Sequence, residues 1–361
     1  MVKKKIIIDL SWLDHSKTGG GEYQALNIIN ILLKKEFRMK FEIIFFIKPD
    51  TLNRNNFKFL KNFKIIKLTN FSYLNYLIIF FVSPFILKIK RIDIFFSTNI
   101  YIPMFKFFRF KTIVSLNHPL WIEKPELSSF IKRVIYNIYY KSLKSRSDLL
   151  ICSNKVVKKI FDKKFKYKNT IAINIPIYNL NSPRKHEKIR KKIKKLKNKF
   201  FYFTLSSLED YKNIEILKKI SKKVFFSNKA IIVLAGKRPR NKLFDTAFFK
   251  DLGEINENEK KWLYSHCNIY IHPSLFEGFG MILVEAMKMY KPIICTNTEV
   301  MRHVTGNCAT YINKPKNEME WLQKIQNVKN IKKINYKKII KRYSLPIIKK
   351  QYMKVFKNFL H

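Results

Sequence analysis

Two glutamates, Glu277 and Glu285, stand eight residues apart in one short run of the chain. Paired carboxylates act as acid and base on a glycosidic bond when about 5–9.5 Å separates them. If most of this run is helical, the two glutamates lie on a similar face about 12 Å apart, roughly two turns along it. That spacing argues against a hydrolytic pair. It favours one extended ligand, with a sugar at one end and a ribose at the other.

The elements around the two glutamates predict how they are positioned. Residues 268–274 (NIYIHPS) predict a β-strand that ends at a proline, and residues 281–290 predict a helix that stops before a Lys-Pro pair. Gly278 and Gly280 then lie at a strand-to-helix turn, where the backbone can approach a ligand and outward N–H groups suit a phosphate. The segment predicts a nucleotide-sugar site. The alternative is an ordinary α/β turn, with Glu285 as a surface residue.

The run HPSLFEGFGMILVEAM, residues 272–287, resembles the sequence signature of the retaining glycosyltransferases of family 4. The resemblance implies the GT-B fold, an α/β architecture of two Rossmann-like, doubly wound domains that face each other across a cleft. It also implies a C-terminal helix that crosses back to the N-terminal domain.

Other segments match the same family in the expected order and cover most of the chain. They are residues 6–9 (IIID), 19–23 (GGGEY), 92–103, 114–118 (VSLNH), 151–154 (ICSN), 204–213 (TLSSLEDYKN), 231–237 (IIVLAGK) and 344–360. The chain departs from the family pattern at four positions. Pro119 replaces an aspartate, Ser206 and Tyr211 each replace an arginine, and His303 stands where relatives often carry glutamate.

Three residues are implied by the resemblance to take part in catalysis. Glu277 should lie beside the transferred sugar, as a positioning residue rather than a covalent nucleophile, because the family is thought to use a front-face transfer. Lys212 should stabilise the charge that develops on the leaving diphosphate, and more strongly so because Ser206 supplies no cation. His118, after a predicted strand, should hydrogen-bond the donor sugar or orient the acceptor.

The same resemblance implies a donor-binding set in which Glu285 holds the ribose hydroxyls and the glycines admit the diphosphate. The set is Gly20, Gly21, Ser206, Lys212, Gly236, Ile255, Gly278, Phe279, Gly280, Met281, Ile282 and Glu285. The sequence shows no DxD-type cluster for a metal. We therefore expect metal-independent transfer with no cofactor, the donor being a GDP- or UDP-linked sugar, with cationic side chains and helix dipoles in place of a divalent ion.

Alternating strand-like and helical patterns predict two domains. Residues 1–180 predict an N-terminal Rossmann-like, acceptor-binding domain, and residues 200–342 predict a nucleotide-sugar-binding domain. Residues 181–199 predict a basic linker with a solvated helix. Residues 343–361 predict the helix that returns to the N-terminal domain. The short apolar run that meets Asp9 is predicted to be a buried first strand rather than a signal peptide.

The chain is strongly basic, with 73 Lys and Arg against 25 Asp and Glu and a net charge of +48. Such a charge attracts anionic partners. It is not accompanied by a recognised nucleic-acid-binding motif, so an anionic membrane surface is the preferred partner and no specific nucleic acid is expected. Coding bias accounts for part of the charge, and a nonspecific polyanion effect is the alternative. The four widely spaced cysteines favour a reduced, cytosolic protein.

Three apolar segments bear on membrane contact. Residues 71–87 are at the short limit for a membrane span, and a helix packed under the N-terminal sheet is the preferred interpretation. Residues 129–146 place apolar and basic side chains as an interfacial helix does, although an ordinary surface helix fits equally well. Residues 104–110 (MFKFFRF) interleave aromatics with cations and either touch lipid or acceptor or bury their rings.

The resemblance and these features predict a retaining glycosyltransferase that moves a hexose, with mannose from GDP-mannose as one candidate, onto a lipid-linked or lipopolysaccharide-type saccharide. Its expected location is the cytoplasm, peripheral on the inner face of the plasma membrane. Two alternatives stay open. One is a synthase of the same fold with a soluble sugar acceptor. The other is a basic protein that binds polyanions or membranes and has lost catalysis, a reading that Ser206 and Pro119 favour.

Overall fold

The computed structural model describes residues 3–13, 20–106, 108–127, 129–177, 188–237, 244–327 and 335–358. The chain divides into two compact units, each with its own parallel sheet. Unit 1 comprises residues 1–176 and 344–361, and unit 2 comprises residues 177–343. The predicted α/β class and the two doubly wound sheets are confirmed.

The sheet of unit 1 has seven parallel strands in the order β3-β2-β1-β4-β5-β6-β7. Its strands are continuous apolar runs, because helices cover both faces of such a sheet. The strands are β1 Lys4–Asp9, β2 Phe41–Ile47, β3 Lys64–Lys67, β4 Ile94–Ser97, β5 Lys111–Leu116, β6 Leu149–Cys152 and β7 Thr170–Ala172. The chain crosses from β3 to β4, which pairs with β1 on the side away from β2.

Short helices connect these strands. They are α1 Gly20–Leu32, α2 Lys35–Arg38, α3 Pro49–Asn53, α4 Ser72–Leu77, α5 Ser83–Ile89, α6 Leu120–Glu123, α7 Phe130–Arg146 and α8 Lys155–Phe165. A π-helical turn, Ile78–Val82, joins α4 to α5. The segment considered for a membrane span is therefore a broken helix that buries Ile79 and Leu87. In the part of the chain that the structure describes, no helix combines the length and apolarity needed to cross a membrane.

The sheet of unit 2 has six parallel strands in the order β10-β9-β8-β11-β12-β13. The strands are β8 Phe201–Leu205, β9 Ile231–Ala235, β10 Phe249–Asp251, β11 Ile269–His272, β12 Ile293–Thr296 and β13 Thr310–Ile312. The helices of this unit are α9 Lys191–Lys194, α10 Ile214–Asn228, α11 Glu257–His266, α12 Met281–Lys288, α13 Glu299–Thr305, α14 Glu318–Asn327 and α15 Lys337–Ile340. Because β8 lies between β9 and β11, the loops that leave β8 and β11 emerge at the same edge of the sheet.

The last helix, α16 (Leu345–Lys357), belongs to unit 1, as predicted. Ile348, Tyr352 and Phe356 recur every four residues and so share one face, and that face is buried in the core of unit 1. The ring of Phe356 packs edge-on against Phe37, with centroids 5.6 Å apart. Lys349 adds an ion pair to Glu36. Burial of this face explains why α16 belongs to unit 1 although it follows unit 2 in the sequence.

The segment before β8 differs from the predicted linker. Residues 178–187 lie outside the described residues, but 188–199 pack on unit 2. Ile193 is fully buried, and the Arg190 guanidinium donates to both carboxylate oxygens of Glu259 and to backbone oxygens. The lysine-rich composition indicated a solvated helix, whereas one buried isoleucine and one bidentate arginine tie the segment to α11.

Asp9, at the carboxyl end of β1, is a buried acid with an unusual environment. Its Oδ1 accepts a hydrogen bond of 2.9 Å from the backbone N–H of Ser11, whereas its Oδ2 is buried and has no hydrogen-bond partner among the described residues. Burial raises the pKa of Asp9 to about 6.

We expect the wild-type free energy of unfolding to fall as pH rises from about 4 to about 6. Between pH 4 and pH 6 the Asp9 carboxyl keeps its proton in the folded protein but loses it in the unfolded chain. The stabilisation that is present below the pKa of Asp9 in the unfolded chain is therefore lost as pH rises through its pKa in the folded protein. Urea titrations of Asp9→Asn across this range should lack that decline. Asp148→Asn is the matched control. Burial raises the pKa of Asp148, but hydrogen bonds from Lys106 and the Thr112 backbone N–H, with the charges of Lys106 and Lys111, together outweigh burial and lower that pKa. An Asp9→Asn profile identical to wild type would contradict the assignment.

Candidate active site

Two loops of unit 2 are hydrogen-bonded together at the sheet edge, and they carry the predicted catalytic pair. The backbone N–H of Leu275, after β11, donates to the carbonyl of Tyr211 at 2.7 Å. Lys212 ends a 3₁₀ turn, and Asn213 follows it with a left-handed φ of +52°. The Asn213 side chain donates to the Pro315 carbonyl at 2.9 Å. The bonded loops fix the place of the Lys212 side chain.

Lys212 and Glu277 form an ion pair that is almost sequestered from water. The Lys212 Nζ lies 2.6 Å from the Glu277 Oε1, and their side chains are 14% and 11% exposed. Burial raises the pKa of Glu277, but the Lys212 ammonium and a His272 hydrogen bond outweigh burial and hold that pKa well below its usual range. Burial lowers the pKa of Lys212, but the Glu277 carboxylate outweighs burial, and the pKa of this lysine is raised. The pair is therefore an ammonium and a carboxylate at neutral pH.

His272, the last residue of β11, contacts this pair, and the sequence analysis did not single it out. Its side chain is fully buried, and its Nε2 lies 3.1 Å from the Glu277 Oε1. The Nδ1 is buried and has no hydrogen-bond partner in the described chain. A neutral imidazole with its proton on Nε2 satisfies this arrangement, because an N–H at Nδ1 would be left unpaired. Glu277 Oε1 thus accepts from two donors that limit its freedom as a nucleophile.

The glycine turn follows Glu277 and starts α12, as predicted. Gly280 has a left-handed φ of +78° and is the N-cap of α12. The first N–H groups of a helix have no acceptor within it, and half-buried Met281 and Ile282 supply such groups here. The Phe279 side chain turns inward against Tyr343, with ring centroids 5.7 Å apart. Any contact of Phe279 with a ligand is therefore restricted to its backbone.

We expect Gly280→Ala to lower the free energy of unfolding by about 1–2 kcal/mol, the cost of a left-handed conformation for an L-residue. The added Cβ would also lie 3.2 Å from Leu283 Cδ1. Urea denaturation measures the loss. Lys222→Ala, at an exposed position within helix α10, is the control, since no left-handed φ is involved there. Equal stability of Gly280→Ala and wild type would contradict the role of this turn.

Glu285, on α12, has its own pair of partners on α11. Its Oε1 lies 3.0 Å from the Nζ of Lys260, and its Oε2 accepts from the Tyr264 hydroxyl at 3.2 Å. Lys260 also pairs with Glu257 at 3.0 Å. The sequence analysis missed Lys260 and Tyr264, although their four-residue spacing on a helix places them on one face. A carboxylate held in this way keeps a fixed orientation.

A row of aromatic rings connects the surroundings of Glu285 with those of Glu277. The ring of Tyr264 lies 5.3 Å from that of Tyr270, which in turn stacks on His272 at 6.3 Å. Glu285 and Glu277 are therefore attached to one buried row of side chains through Tyr264 and His272. The two glutamates have different partners and form no acid–base dyad.

The remaining donor-binding residues predicted in unit 2 lie at the ends of neighbouring elements. Ser206 directly follows β8, and its N–H donates to the Ala235 carbonyl at 2.9 Å. Gly236 directly follows β9 with a φ of +136°. Ile255 is half-buried and precedes Asn256, the N-cap of α11. The parallel strand order places the Ser206, Gly236 and Glu277 positions at the carboxyl edge of one sheet.

The predicted residues of unit 1 occupy the carboxyl edge of the other sheet. Gly20 and Gly21 begin α1, and exposed His118 lies two residues after β5. Gly21 also has a packing role, because a Cβ there would lie 3.3 Å from the ring of Trp12. The Trp12 indole N–H is in turn bonded to Thr98 at 2.8 Å. Gly19 lies outside the described residues.

The described residues contain no group of three or more His, Cys, Asp or Glu side chains arranged to hold a metal ion. All four cysteines are free thiols, and Cys152, Cys267 and Cys295 are buried. Metal independence remains a prediction that chelation tests.

Residues 185–344 match the family model of the glycosyl transferases group 1. Over 213 residues the chain is 28% identical to the O-antigen chain mannosyltransferase RfbU of Salmonella typhimurium. That alignment covers 56% of this chain and 57% of the relative, so the chain spans a little over half the length of this curated protein.

Two solved structures share the whole architecture. One is sucrose-phosphate synthase from Thermosynechococcus elongatus, with a TM-score of 0.73 at 13% identity and 99% of both chains covered. The other is Anabaena HepE in complex with UDP and glucose, with a TM-score of 0.67 at 15% identity, covering 98% of this chain and 100% of that one. At these identities the likeness establishes the GT-B fold alone. The chain therefore has the GT-B fold, and residues 185–344, which make up most of unit 2, match the glycosyl transferases group 1 family.

Proposed function

We propose that the protein is a retaining glycosyltransferase that moves a hexose from a nucleoside-diphosphate sugar to a saccharide acceptor. The Lys212–Glu277 ion pair beside the glycine turn is the single observation that carries the proposal. It combines a cation for a leaving diphosphate, backbone N–H groups at a helix start and an ionised carboxylate for a sugar. The match of residues 185–344 to the glycosyl transferases group 1 family supports the reaction class.

In the proposed reaction, the bond between the anomeric carbon and the diphosphate oxygen breaks while the acceptor oxygen bonds to the same face of that carbon. The acceptor proton passes to the departing diphosphate. Lys212 and the backbone N–H groups of Met281 and Ile282 stabilise the charge that develops on the diphosphate. Glu277 positions the sugar, and its carboxylate faces the positive charge on the anomeric carbon. His272 and Lys212 keep this carboxylate oriented and ionised.

At the far end of the donor, we assign the ribose hydroxyls to Glu285. Lys260 and Tyr264 hold its carboxylate from behind. Ser206, Gly236 and Ile255 border the nucleotide in this proposal.

We propose mannose as the sugar and a lipid-linked or polysaccharide acceptor of the cell envelope, with the protein acting at the cytoplasmic face of the membrane. The support for mannose and for an O-antigen-type acceptor is the named activity of the Salmonella relative. The support for a nucleotide donor includes the UDP held by the Anabaena neighbour. GDP- and UDP-linked sugars are both candidates.

A thermal-shift screen with UDP, GDP and ADP, with and without EDTA, tests nucleotide binding. Binding to the folded state raises the melting temperature, and at equal concentration a nucleotide of higher affinity raises it more. We expect one nucleotide to stabilise the protein more than the others, and EDTA to leave that shift unchanged. Absence of any shift would favour a chain that has lost catalysis. A shift that EDTA abolishes would overturn metal independence.

A further inference from the structure

The segment from α4 to α5 in unit 1 exposes an apolar face, although it also buries Ile79 and Leu87 on its inner side. Its buried face includes Asn75, which bonds three atoms of Thr69, and Ser83, which donates to the Ile79 carbonyl. Its outward face is apolar, with exposures from 44% to 77%. The outward residues are Phe71, Leu74, Leu77, Phe81, Val82, Phe85 and Ile89, most of them spaced three or four apart. A surface helix ordinarily presents the opposite arrangement to water.

Helix α7 carries a second outward apolar stripe. Phe130, Ile131, Val134 and Ile138 are between 41% and 71% exposed. The inner side of the same helix buries Tyr140 and Leu143 in the core. Both faces of α7 are therefore apolar, although only one is covered by the rest of unit 1.

Aromatic contacts join these two stripes. The Tyr139 ring of α7 lies 5.2 Å from Phe80 in the π-helical turn and 5.4 Å from Tyr101. The Arg146 guanidinium lies over both Phe80 and Tyr139, at 5.6 and 5.5 Å. The backbone N–H of exposed Met104 donates to the Phe80 carbonyl at 3.0 Å. These contacts connect the two helical segments, and the two stripes and Met104 are together called the exposed apolar surface.

The charged side chains on the two segments that carry the exposed apolar surface have one sign. Neither residues 72–89 nor residues 130–146 contain an aspartate or glutamate. Exposed lysines and an arginine lie at the ends of these helices: Lys88, Lys90, Arg91, Lys141 and Lys144. An apolar face flanked by cations matches the chemistry of a bilayer interface with anionic headgroups.

A cavity of about 300 Å³ opens beside α7 and shares Phe130 and Val134 with the exposed apolar surface. Two cations, Arg133 and Lys164, line it together with tyrosines and apolar side chains. The Nε of Arg133 is buried without a hydrogen-bond partner in the described part of the molecule. A phosphate bound there would supply an acceptor, and an acyl chain would cover the neighbouring apolar side chains.

We propose that the exposed apolar surface docks unit 1 on an anionic lipid bilayer, with a lipid phosphate held at Arg133 and Lys164. The inference deepens the proposed function, on which it rests for the membrane-linked acceptor. Leu, Ile and Val side chains do not suit nucleic acid, which is bound through cations and stacking rings. A second copy would bring the same cations face to face, which opposes association.

Flotation of the full-length protein with phosphatidylglycerol-containing vesicles, and with pure phosphatidylcholine vesicles, tests the proposal. The wild type should float with the anionic vesicles only. Leu77→Ser with Ile89→Ser, and Ile131→Ser with Ile138→Ser, should each lower the partition coefficient about tenfold, since each pair removes apolar groups from the interface. Arg133→Gln with Lys164→Gln should lower binding to anionic vesicles at unchanged stability.

Matched controls lie on unit 2. Phe226 and Met319 are 58% and 60% exposed. The double variant Phe226→Ser with Met319→Ser should float like wild type. The double variant Lys219→Gln with Lys222→Gln should also float like wild type. Loss of flotation in these controls would overturn the proposal in favour of general polyanion attraction. The same conclusion would follow if the α4–α5 and α7 variants floated like wild type and only added salt abolished flotation.

Self-association of the wild type without vesicle binding would overturn the proposal in favour of a second copy. The flotation assay contains no sugar donor. The nucleotide-induced thermal shift of every variant is measured in a separate experiment. Failure to bind lipid is thereby distinguished from failure of the proposed transferase function.

Discussion

Lys212→Met will lower kcat for sugar transfer by about 10²–10³-fold, the usual effect of removing one group that stabilises a developing negative charge. The KM for the donor will change less, because the charge on the leaving diphosphate is greatest in the transition state. Steady-state assays with saturating and limiting donor separate the two parameters. Equal losses in Lys212→Met and in Lys218→Met, a lysine six residues along the chain, would contradict a specific role.

The same substitution affects folding, and a second variant separates the two effects. Lys212→Met leaves the buried Glu277 carboxylate without its cation, and breaking a buried pair in this way typically costs about 3–5 kcal/mol. Lys212→Met with Glu277→Gln removes the unpaired charge and should recover part of that stability, as measured by urea unfolding. It should recover none of the transfer activity. Recovery of activity along with stability would show that Lys212 acts only on the fold.

Glu285→Ala will lower kcat/KM for the donor by about 10- to 100-fold, the value of a hydrogen bond to a charged group. The fold should tolerate the change, because Lys260 keeps its pair with Glu257 and the Tyr264 hydroxyl keeps its bond to the Ile282 carbonyl. Donors with 2′- or 3′-deoxyribose provide the diagnostic. The wild type should discriminate against one of them, and Glu285→Ala should not.

Glu215→Ala is the control for this prediction, because its side chain is 71% exposed on α10. It should retain the wild-type preference between ribose and deoxyribose donors. If Glu285→Ala discriminated between these donors as strongly as wild type, the ribose assignment would be wrong.

The main elements of the candidate site were predictable from the sequence because they depend on local rules. A strand ending at Pro273, glycines at the turn and good helix formers after it determine where β11 ends and α12 begins. The ion pair between Lys212 and Glu277 was not predicted. The family resemblance assigned both residues to one site, but 65 residues separate them and their contact depends on the strand order.

The partners behind the glutamates were harder to predict. His272 occupies a buried position in an apolar strand, where sequence pattern does not distinguish a ligand-site histidine from a core residue. Lys260 is one of two adjacent lysines in a chain rich in lysine, so its type carried little information. Phe279 stands within the site motif, yet its side chain packs against Tyr343 because the turn directs it inward.

The basic segment before β8 and the apolar segment after β3 show a second limit. Composition predicted a solvated linker at 181–199, whereas Ile193 and Arg190 anchor 188–199 to unit 2. In the apolar segment, periodicity cannot say which face is covered. Only the structure shows that Asn75 faces inward and Leu77 outward.

The most direct test of the account is turnover of a panel of radiolabelled nucleotide sugars by the purified protein. The account predicts that wild type releases or transfers the sugar of one donor with retained anomeric configuration, GDP-mannose being the first candidate. At limiting donor, Lys212→Met and Glu285→Ala should each show the decrease in turnover given above while remaining folded. Failure of wild type to bind or turn over any donor of the panel, or wild-type turnover in the Lys212→Met variant, would contradict it.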